Sequence, residues 1–187
     1  SQLLALTTKL DARDEYSRAN PLWNDASAFG KPRPGFRFGV PAQLEFLGCS
    51  ESPALLARTI EQLKALGGEA VEIDFAPFLE AARLLYEGPW VAERYVAIQD
   101  FIEAQPEAVF PPVRSIIEGG KAKTAADAFA ASYKLKALKR VCDAVWQDVD
   151  CLLTPTAGTI YRIADMQADP IRLNSNLGHY TNFMNLL

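Results

Sequence analysis

The chain has 187 residues, of which 49% are apolar and 22% charged, and its formal net charge is −4. This length allows one domain with a substantial core, and the composition is ordinary for a globular protein. The small negative charge argues against nucleic acid and anionic membranes as partners. No apolar run approaches the roughly 20 residues that a membrane span needs.

Three cysteines, Cys49, Cys142 and Cys151, are scattered along the chain. Their odd number and wide spacing fit a reducing compartment better than a disulfide framework. Because no signal peptide is visible either, we expect a cytoplasmic protein. The single histidine and the absence of C-x-x-C spacing argue against a metal site, and we expect none.

The first elements in chain order are a short helix and a long connection. Residues 3–6 have the pattern of a helix end. Residues 11–35 predict an irregular connection, because prolines and glycines interrupt them repeatedly. Regular structure then begins at FRFGVP, which predicts a strand at residues 36–40.

A helix and a second strand follow. Ser52 suits the N-cap of this helix, Pro53 its first position and Gly67 its end. In EAVEIDF, apolar residues alternate with acids, which predicts a strand at residues 71–75 with one solvated face. Strand, helix and strand in this order predict a parallel pair joined by a crossover helix.

The second half of the chain is mostly helical. A helical pattern covers residues 78–103 but is broken at EGPW, and residues 100–112 continue as helix and a proline-rich turn. Thr124 opens a long helix, where Asp127 can complete a capping box. The segment VDCLLTPT then predicts a buried strand at residues 151–154.

The long helix carries an apolar and a basic set of residues. Apolar residues recur at steps of four, which places them on one face. They are Phe129, Tyr133, Ala137, Val141 and Val145. The basic residues are Lys134, Lys136, Lys139 and Arg140. Such a basic run is either a solvated helix face or an anion-binding surface.

The last segment is polar and contains His179, the only histidine. Polar loops after a strand often face a ligand, so we regard this segment as a possible pocket loop. Its candidate residues are Asn174, Asn176, Gly178, His179, Thr181 and Asn182. His179 is either a structural side chain or a catalyst paired with Ser175, although no G-x-S-x-G elbow accompanies it.

Several segments resemble one enzyme family. The order FRFGVPAQ, LEFLG, GGEAVEIDF and DCLLTPTAGTIY looks like the second half of an amidase-signature enzyme. The stretches LLYEGPWVAERY and LNSNLGHYTNFMNLL resemble the amidase domain of allophanate hydrolases, including the hydrolase half of urea amidolyase. The resemblance implies an α/β fold, part of a three-layer α/β/α sandwich with a mixed β-sheet. Residues 1–187 would then be a single partial domain, the C-terminal half of the amidase domain, with the N-terminal catalytic half absent.

The resemblance also implies how catalysis and recognition are divided. The family uses a Ser–cis-Ser–Lys triad, and none of the serines here lies in a Gly-Ser-Ser-Gly context, so we assign no catalytic residue. The substrate-binding tyrosine and arginine of allophanate hydrolases match Tyr86 and Arg94 in YEGPWVAER. In the other interpretation Tyr86 is a core residue, and Arg94 is a surface side chain paired with Glu87 or Glu93.

The function implied is hydrolysis of allophanate (urea-1-carboxylate) to ammonia and carbon dioxide in urea breakdown. The resemblance implies no cofactor for this step, a homodimer, and a metabolic link to a biotin-dependent urea carboxylase. Two alternatives remain: an amidase-signature enzyme for another amide, and a non-catalytic α/β interaction module.

Overall fold

The computed structural model describes residue 3 and residues 7–21, 30–31 and 35–187. The chain divides into two compact units, Ser1–Pro34 and Gly35–Leu187. In the first unit, residues 11–17 form two consecutive turns, which agrees with an irregular connection there. The helix end predicted at residues 3–6 falls largely outside the described residues, as do residues 22–29 and 32–34.

The second unit contains a small sheet and a series of helices. The strands are β1 (Phe36–Pro41), β2 (Gly68–Ile73) and β3 (Cys151–Leu152). The helices are α1 (Ser52–Ala65), α2 (Ala76–Glu87), α3 (Trp90–Ala97), α4 (Gln99–Ala104), α5 (Pro111–Glu118), α6 (Ala125–Ala144), α7 (Ile163–Ala168) and α8 (Pro170–Leu177). Short 3-10 segments lie at Pro106–Ala108, Gly119–Ala122, Val145–Gln147 and Asn182–Asn185. None of the helices in these ranges is long and apolar enough to cross a membrane.

The described strands form a parallel sheet in the order β2-β1-β3. The predicted parallel pair is therefore confirmed, and β1 is the central strand. Strand β2 begins at Gly68 and ends at Ile73, earlier than the predicted residues 71–75. The reason is local: the carboxylate of Asp74 accepts a hydrogen bond from the backbone N–H of Ala76, which turns the chain into α2.

Helices lie on both sides of this sheet. Phe36 lies near the end of α1, since a Cβ added to Gly68 would meet both the Phe36 ring and the carbonyl oxygen of Leu63. Successive strand residues point to opposite faces, so Gly39 faces the other side, where Ile73 and Leu152 approach it. On that second side an aromatic cluster joins α2, α6 and the C-terminal segment.

The aromatic cluster fixes α2 against the C-terminal segment. Phe78 is 2% exposed, stacks on Phe75 at 5.2 Å and meets Phe183 edge-on, also at 5.2 Å. Tyr180 is 1% exposed, and its hydroxyl both accepts from the backbone N–H and donates to the backbone carbonyl of Glu45. These contacts hold the residues after α8 next to α2.

The sequence correctly predicts the start of the long helix α6 but does not show which of its faces is buried. The predicted capping box is present: the Thr124 hydroxyl accepts from the Asp127 N–H, and the Asp127 carboxylate accepts from the Thr124 N–H. The predicted apolar face is largely exposed, with Phe129 63%, Tyr133 67% and Val141 55% accessible. The basic residues are exposed as well, which agrees with a solvated face: Lys134 pairs with Glu80 and Lys139 with Asp143.

Two local predictions were wrong, and a third was right in part. Ser52 is not an N-cap, because its hydroxyl donates to the Cys49 sulfur and Glu51 occupies the cap position. The helix and proline-rich turn predicted over residues 100–112 are present as α4 and the 3-10 segment Pro106–Ala108, but Pro111 and Pro112 already begin α5, where a missing N–H costs nothing. The predicted C-terminal loop is largely helical, since Asn174 and Asn176 belong to α8.

Candidate substrate-recognition site

The helix break between α2 and α3 determines where Tyr86 and Arg94 lie. Helix α2 ends at Glu87, Gly88 is extended with ψ −170°, and Pro89 caps α3. A Cβ at Gly88 would collide with the carbonyl oxygen of Leu84, so only glycine fits this path without rearrangement. In an unbroken helix, residues eight apart are about 12 Å apart along the axis. The break removes this constraint, because α2 and α3 run in separate directions determined by the Gly88–Pro89 backbone.

The two side chains meet across the break. The Arg94 guanidinium carbon lies 4.8 Å from the centroid of the Tyr86 ring, within the range of a cation–π contact. Tyr86 is 38% exposed, so it is not a core residue, as the alternative interpretation of the sequence would require. Among the described residues Arg94 makes no ion pair, with Glu87, Glu93 or any other acid. Within the described part of the chain, no acid side chain therefore competes with a ligand for the guanidinium.

Two cavities adjoin Tyr86. One, of about 250 Å³, lies between α2 and the C-terminal segment, and Arg83, His179 and Asn182 contribute to its wall. The other, of about 330 Å³, is lined by Tyr86 together with Lys123 and Asn174 among other residues. The possible pocket segment thus lies beside the predicted tyrosine, although as helix rather than loop.

The remaining residues of that segment have local contacts. Asn176 donates its amide to the Tyr161 hydroxyl at 2.8 Å, and the Thr181 hydroxyl donates to the Gly178 carbonyl at 3.5 Å. A Cβ at Gly178 would come within 2.5 Å of the Asn182 amide, so glycine leaves room for that side chain. Of these residues Asn182 lines the smaller cavity, whereas the contacts of Asn176 and Thr181 hold the segment itself together.

The comparisons with known proteins identify the family. The whole chain, residues 1–187, matches the family model described as Amidase. The chain belongs to the amidase family. It is 39% identical over 181 residues to the urea amidolyase of Saccharomyces cerevisiae, covering 92% of this chain and 9% of that protein. It is 28% identical over 155 residues to an amidase of Pseudomonas putida, covering 82% of this chain and 33% of the other.

Solved structures agree with this amidase assignment. An allophanate hydrolase of Kluyveromyces lactis superposes with a TM-score of 0.88 at 34% identity, covering 95% of this chain and 29% of that chain. The urea amidolyase of K. lactis also superposes at 0.88, with 35% identity and 11% of its chain covered. The α/β amidase-signature fold predicted above is confirmed. The strands in residues 35–187 are all parallel, so the antiparallel part of the expected mixed sheet does not lie among them.

Two serines of this amidase chain hydrogen-bond within their own helices. The Ser175 hydroxyl donates to the carbonyl of Ile171, one turn earlier in α8, at 2.9 Å. Ser132 makes the same contact with Ala128 in α6. Within residues 35–187 no hydrogen bond joins Ser175 to His179, although both line the same cavity. The geometry therefore favours recognition over nucleophilic catalysis at this position.

His179 is a half-buried side chain packed edge-on against Tyr180, with ring centroids 4.7 Å apart. Burial lowers the pKa of His179 below its usual value, and the nearby Glu45 carboxylate offsets only part of this effect. At neutral pH the imidazole is therefore uncharged in the folded state, as a structural or hydrogen-bonding residue would be.

The lowered pKa of His179 predicts a pH dependence of stability. Below about pH 6.5 an unfolded histidine takes up a proton more readily than the folded one, so the unfolded state is favoured as pH falls. In the complete enzyme, unfolding free energies of the native protein and of His179→Gln should be compared at pH 7.5 and 5.5. We expect the variant to lose less stability on acidification. An equal loss would mean that His179 does not contribute to the acid sensitivity.

Proposed function

We propose that this chain forms the substrate-recognition part of an amidohydrolase that hydrolyses allophanate to ammonia and carbon dioxide. The observation that carries the proposal is the Arg94 guanidinium over the Tyr86 ring, without a carboxylate partner among the described residues. Relatives described as urea amidolyase and allophanate hydrolase support the same assignment.

The chemistry of allophanate matches this arrangement. Allophanate is urea bearing a carboxylate, and a guanidinium can bind a carboxylate through two parallel hydrogen bonds. The guanidinium carbon of Arg94 lies over the Tyr86 ring, and a guanidinium that stacks with its flat face on a ring keeps its edge N–H groups for a carboxylate. Arg94 can therefore keep its aromatic contact while it binds substrate, and the Tyr86 hydroxyl can donate to the same ligand.

The two alternatives fit the same residues less well. A neutral amide would offer Arg94 no counter-charge, so the desolvation of the guanidinium on substrate binding would go uncompensated. A non-catalytic interaction module would not need an arginine without a carboxylate partner at this position. The match to the amidase family along residues 1–187 also argues against such a module.

The chain spans 9% of the urea amidolyase and 29% of the allophanate hydrolase that it resembles. In our proposal the Ser–cis-Ser–Lys triad belongs to another part of the complete protein, which attacks the substrate amide without a cofactor. We further propose a cytoplasmic homodimer that acts in nitrogen metabolism, where it breaks down urea. A biotin-dependent urea carboxylase would supply its carboxylated substrate.

A direct test compares the complete protein with the 187 residues alone. The complete protein should release ammonia from allophanate, whereas the isolated chain should show no turnover, because none of its serines lies in the family's catalytic context. Ammonia release would be measured with matched molar amounts of both proteins. Turnover by the isolated chain would show that its own residues catalyse, with Ser175 and His179 the first to replace. An inactive complete protein would contradict the proposed substrate.

A further inference from the structure

Tyr95, the residue after Arg94, has a set of contacts that no recognition role explains. It is 9% exposed, and its hydroxyl donates a hydrogen bond to the carboxylate of Glu103 in α4. Lys121 lies 3.8 Å from the same carboxylate and 5.1 Å from the centroid of the Tyr95 ring. Three elements, α3, α4 and the 3-10 segment Gly119–Ala122, therefore converge on one phenol.

The polypeptide around Lys121 also contacts both sides of the helix break. Gly120 packs on α3 so closely that a Cβ would lie 2.6 Å from the carbonyl oxygen of Val91. The Lys123 ammonium donates to the carbonyl of Glu87, the last residue of α2, at 2.8 Å. A cation is favourable at a helix C-terminus, where carbonyl groups lack partners. The segment thus ties the end of α2 to the body of α3.

We propose that Tyr95 is a positioning residue: its hydrogen bond to Glu103, supported by Lys121, sets the rotation of α3 that holds the Arg94 guanidinium over Tyr86. Neighbouring residues of a helix are about 100° apart around its axis, so fixing Tyr95 on the packed side fixes the direction of Arg94. This inference rests on the proposed recognition of the substrate carboxylate by Arg94.

The contact between Arg94 and Tyr86 needs such support. A partly exposed cation–π contact is weak, and ordering a long arginine side chain costs more free energy than such a contact contributes. Helix α3 has only eight residues and follows a glycine–proline break, so its own backbone does not determine its rotation. The contacts of Tyr95, about 100° around the helix from Arg94, can supply that constraint.

The experiment is steady-state kinetics of Tyr95→Phe in the complete enzyme, on allophanate and on an uncharged amide. Tyr95→Phe keeps the packed ring and removes the hydroxyl. We expect KM for allophanate to rise about 5- to 30-fold, kcat to change less than about 2-fold, and the uncharged amide to be unaffected. Glu103→Gln keeps a hydrogen-bond acceptor for the Tyr95 hydroxyl, so it should raise KM for allophanate less than Tyr95→Phe does. Tyr133→Phe, at an exposed tyrosine of α6, is the matched control.

A double variant separates positioning from general packing. Once Arg94→Ala has removed the guanidinium, adding Tyr95→Phe should not lower kcat/KM for allophanate any further. A further loss, or equal losses on both substrates, would mean that Tyr95 only stabilises the fold, and the inference would be overturned.

A crystal structure of the complete Tyr95→Phe enzyme distinguishes failure of this inference from failure of the proposed function. We expect Arg94 to leave the Tyr86 ring, beyond the limit of about 6 Å for a cation–π contact. A retained contact would overturn the positioning role, whatever the substrate. If Arg94 moves but Arg94→Ala leaves allophanate turnover intact, the geometric inference holds and the proposed substrate contact fails.

Discussion

Arg94→Ala in the complete enzyme should lower kcat/KM for allophanate about 30- to 1,000-fold, which corresponds to about 2–4 kcal/mol of transition-state stabilisation. This is the size of a lost charge-assisted, two-pronged hydrogen bond to a carboxylate. The residue makes no ion pair within residues 35–187, so the substitution leaves no buried acid unpaired there. The loss should therefore report on substrate rather than on fold.

Two conservative variants measure separately what Arg94 and Tyr86 contribute to the binding of allophanate. Arg94→Lys keeps the charge but not the fork, so it should bind allophanate more weakly than the native enzyme and better than Arg94→Ala. Tyr86→Phe keeps the ring under the guanidinium and removes only the hydroxyl. It should cost about 1–2 kcal/mol, the value of one hydrogen bond.

The decisive control is an uncharged amide measured in parallel. Such a substrate presents no carboxylate to the guanidinium. The Arg94→Ala enzyme should therefore hydrolyse it at least as fast as the native enzyme does. Equal losses on both substrates would mean that Arg94 supports the structure of the site. The carboxylate-recognition proposal would then have to be abandoned.

The parts of the fold that depend on short-range chemistry could be predicted from the sequence. The capping box at Thr124 and the break at Gly88 need only neighbouring residues, and both occur where predicted. The end of β2 is local as well, but alternation of apolar residues does not show that the Asp74 side chain turns the chain into α2. Helix α8 was not predicted because its asparagines suggested a loop, although Pro170 at its start and the apolar residues Leu173 and Leu177, four positions apart, are helix signals in the sequence.

For the site, the sequence led to Tyr86 and Arg94 through family resemblance and the glycine–proline break. The break indicated that the two side chains could converge, but the direction in which α3 leaves α2 depends on tertiary contacts. Lys123 reaches Glu87 across 36 positions of sequence. Tyr95 meets Glu103 and Lys121 only because α4 and the 3-10 segment pack on α3. No local pattern contains such contacts.

Phe78→Ala should lower the free energy of unfolding of the complete amidase domain by about 3–5 kcal/mol, as expected for a buried phenylalanine reduced to a methyl group. Phe78 is 2% exposed and touches Phe75 and Phe183, so its removal leaves a cavity between α2 and the C-terminal segment. Chemical denaturation followed by circular dichroism would measure the change. Phe129→Ala, at a ring that is 63% exposed on α6, should change stability by less than about 0.5 kcal/mol.

Phe78→Ala should also affect the cavity beside Tyr86, because Phe78 packs against the C-terminal segment that lines it. Phe183 lies between His179 and the chain end, and the segment it anchors carries His179 and Asn182 into the cavity beside Tyr86. Loosening that anchor should raise KM for allophanate even under conditions where the domain stays folded. Phe78→Leu fills most of the cavity, so it should restore much of the stability and of the affinity together. If Phe78→Ala lost the predicted stability but kept the native KM, the C-terminal segment would not form a wall of the substrate site.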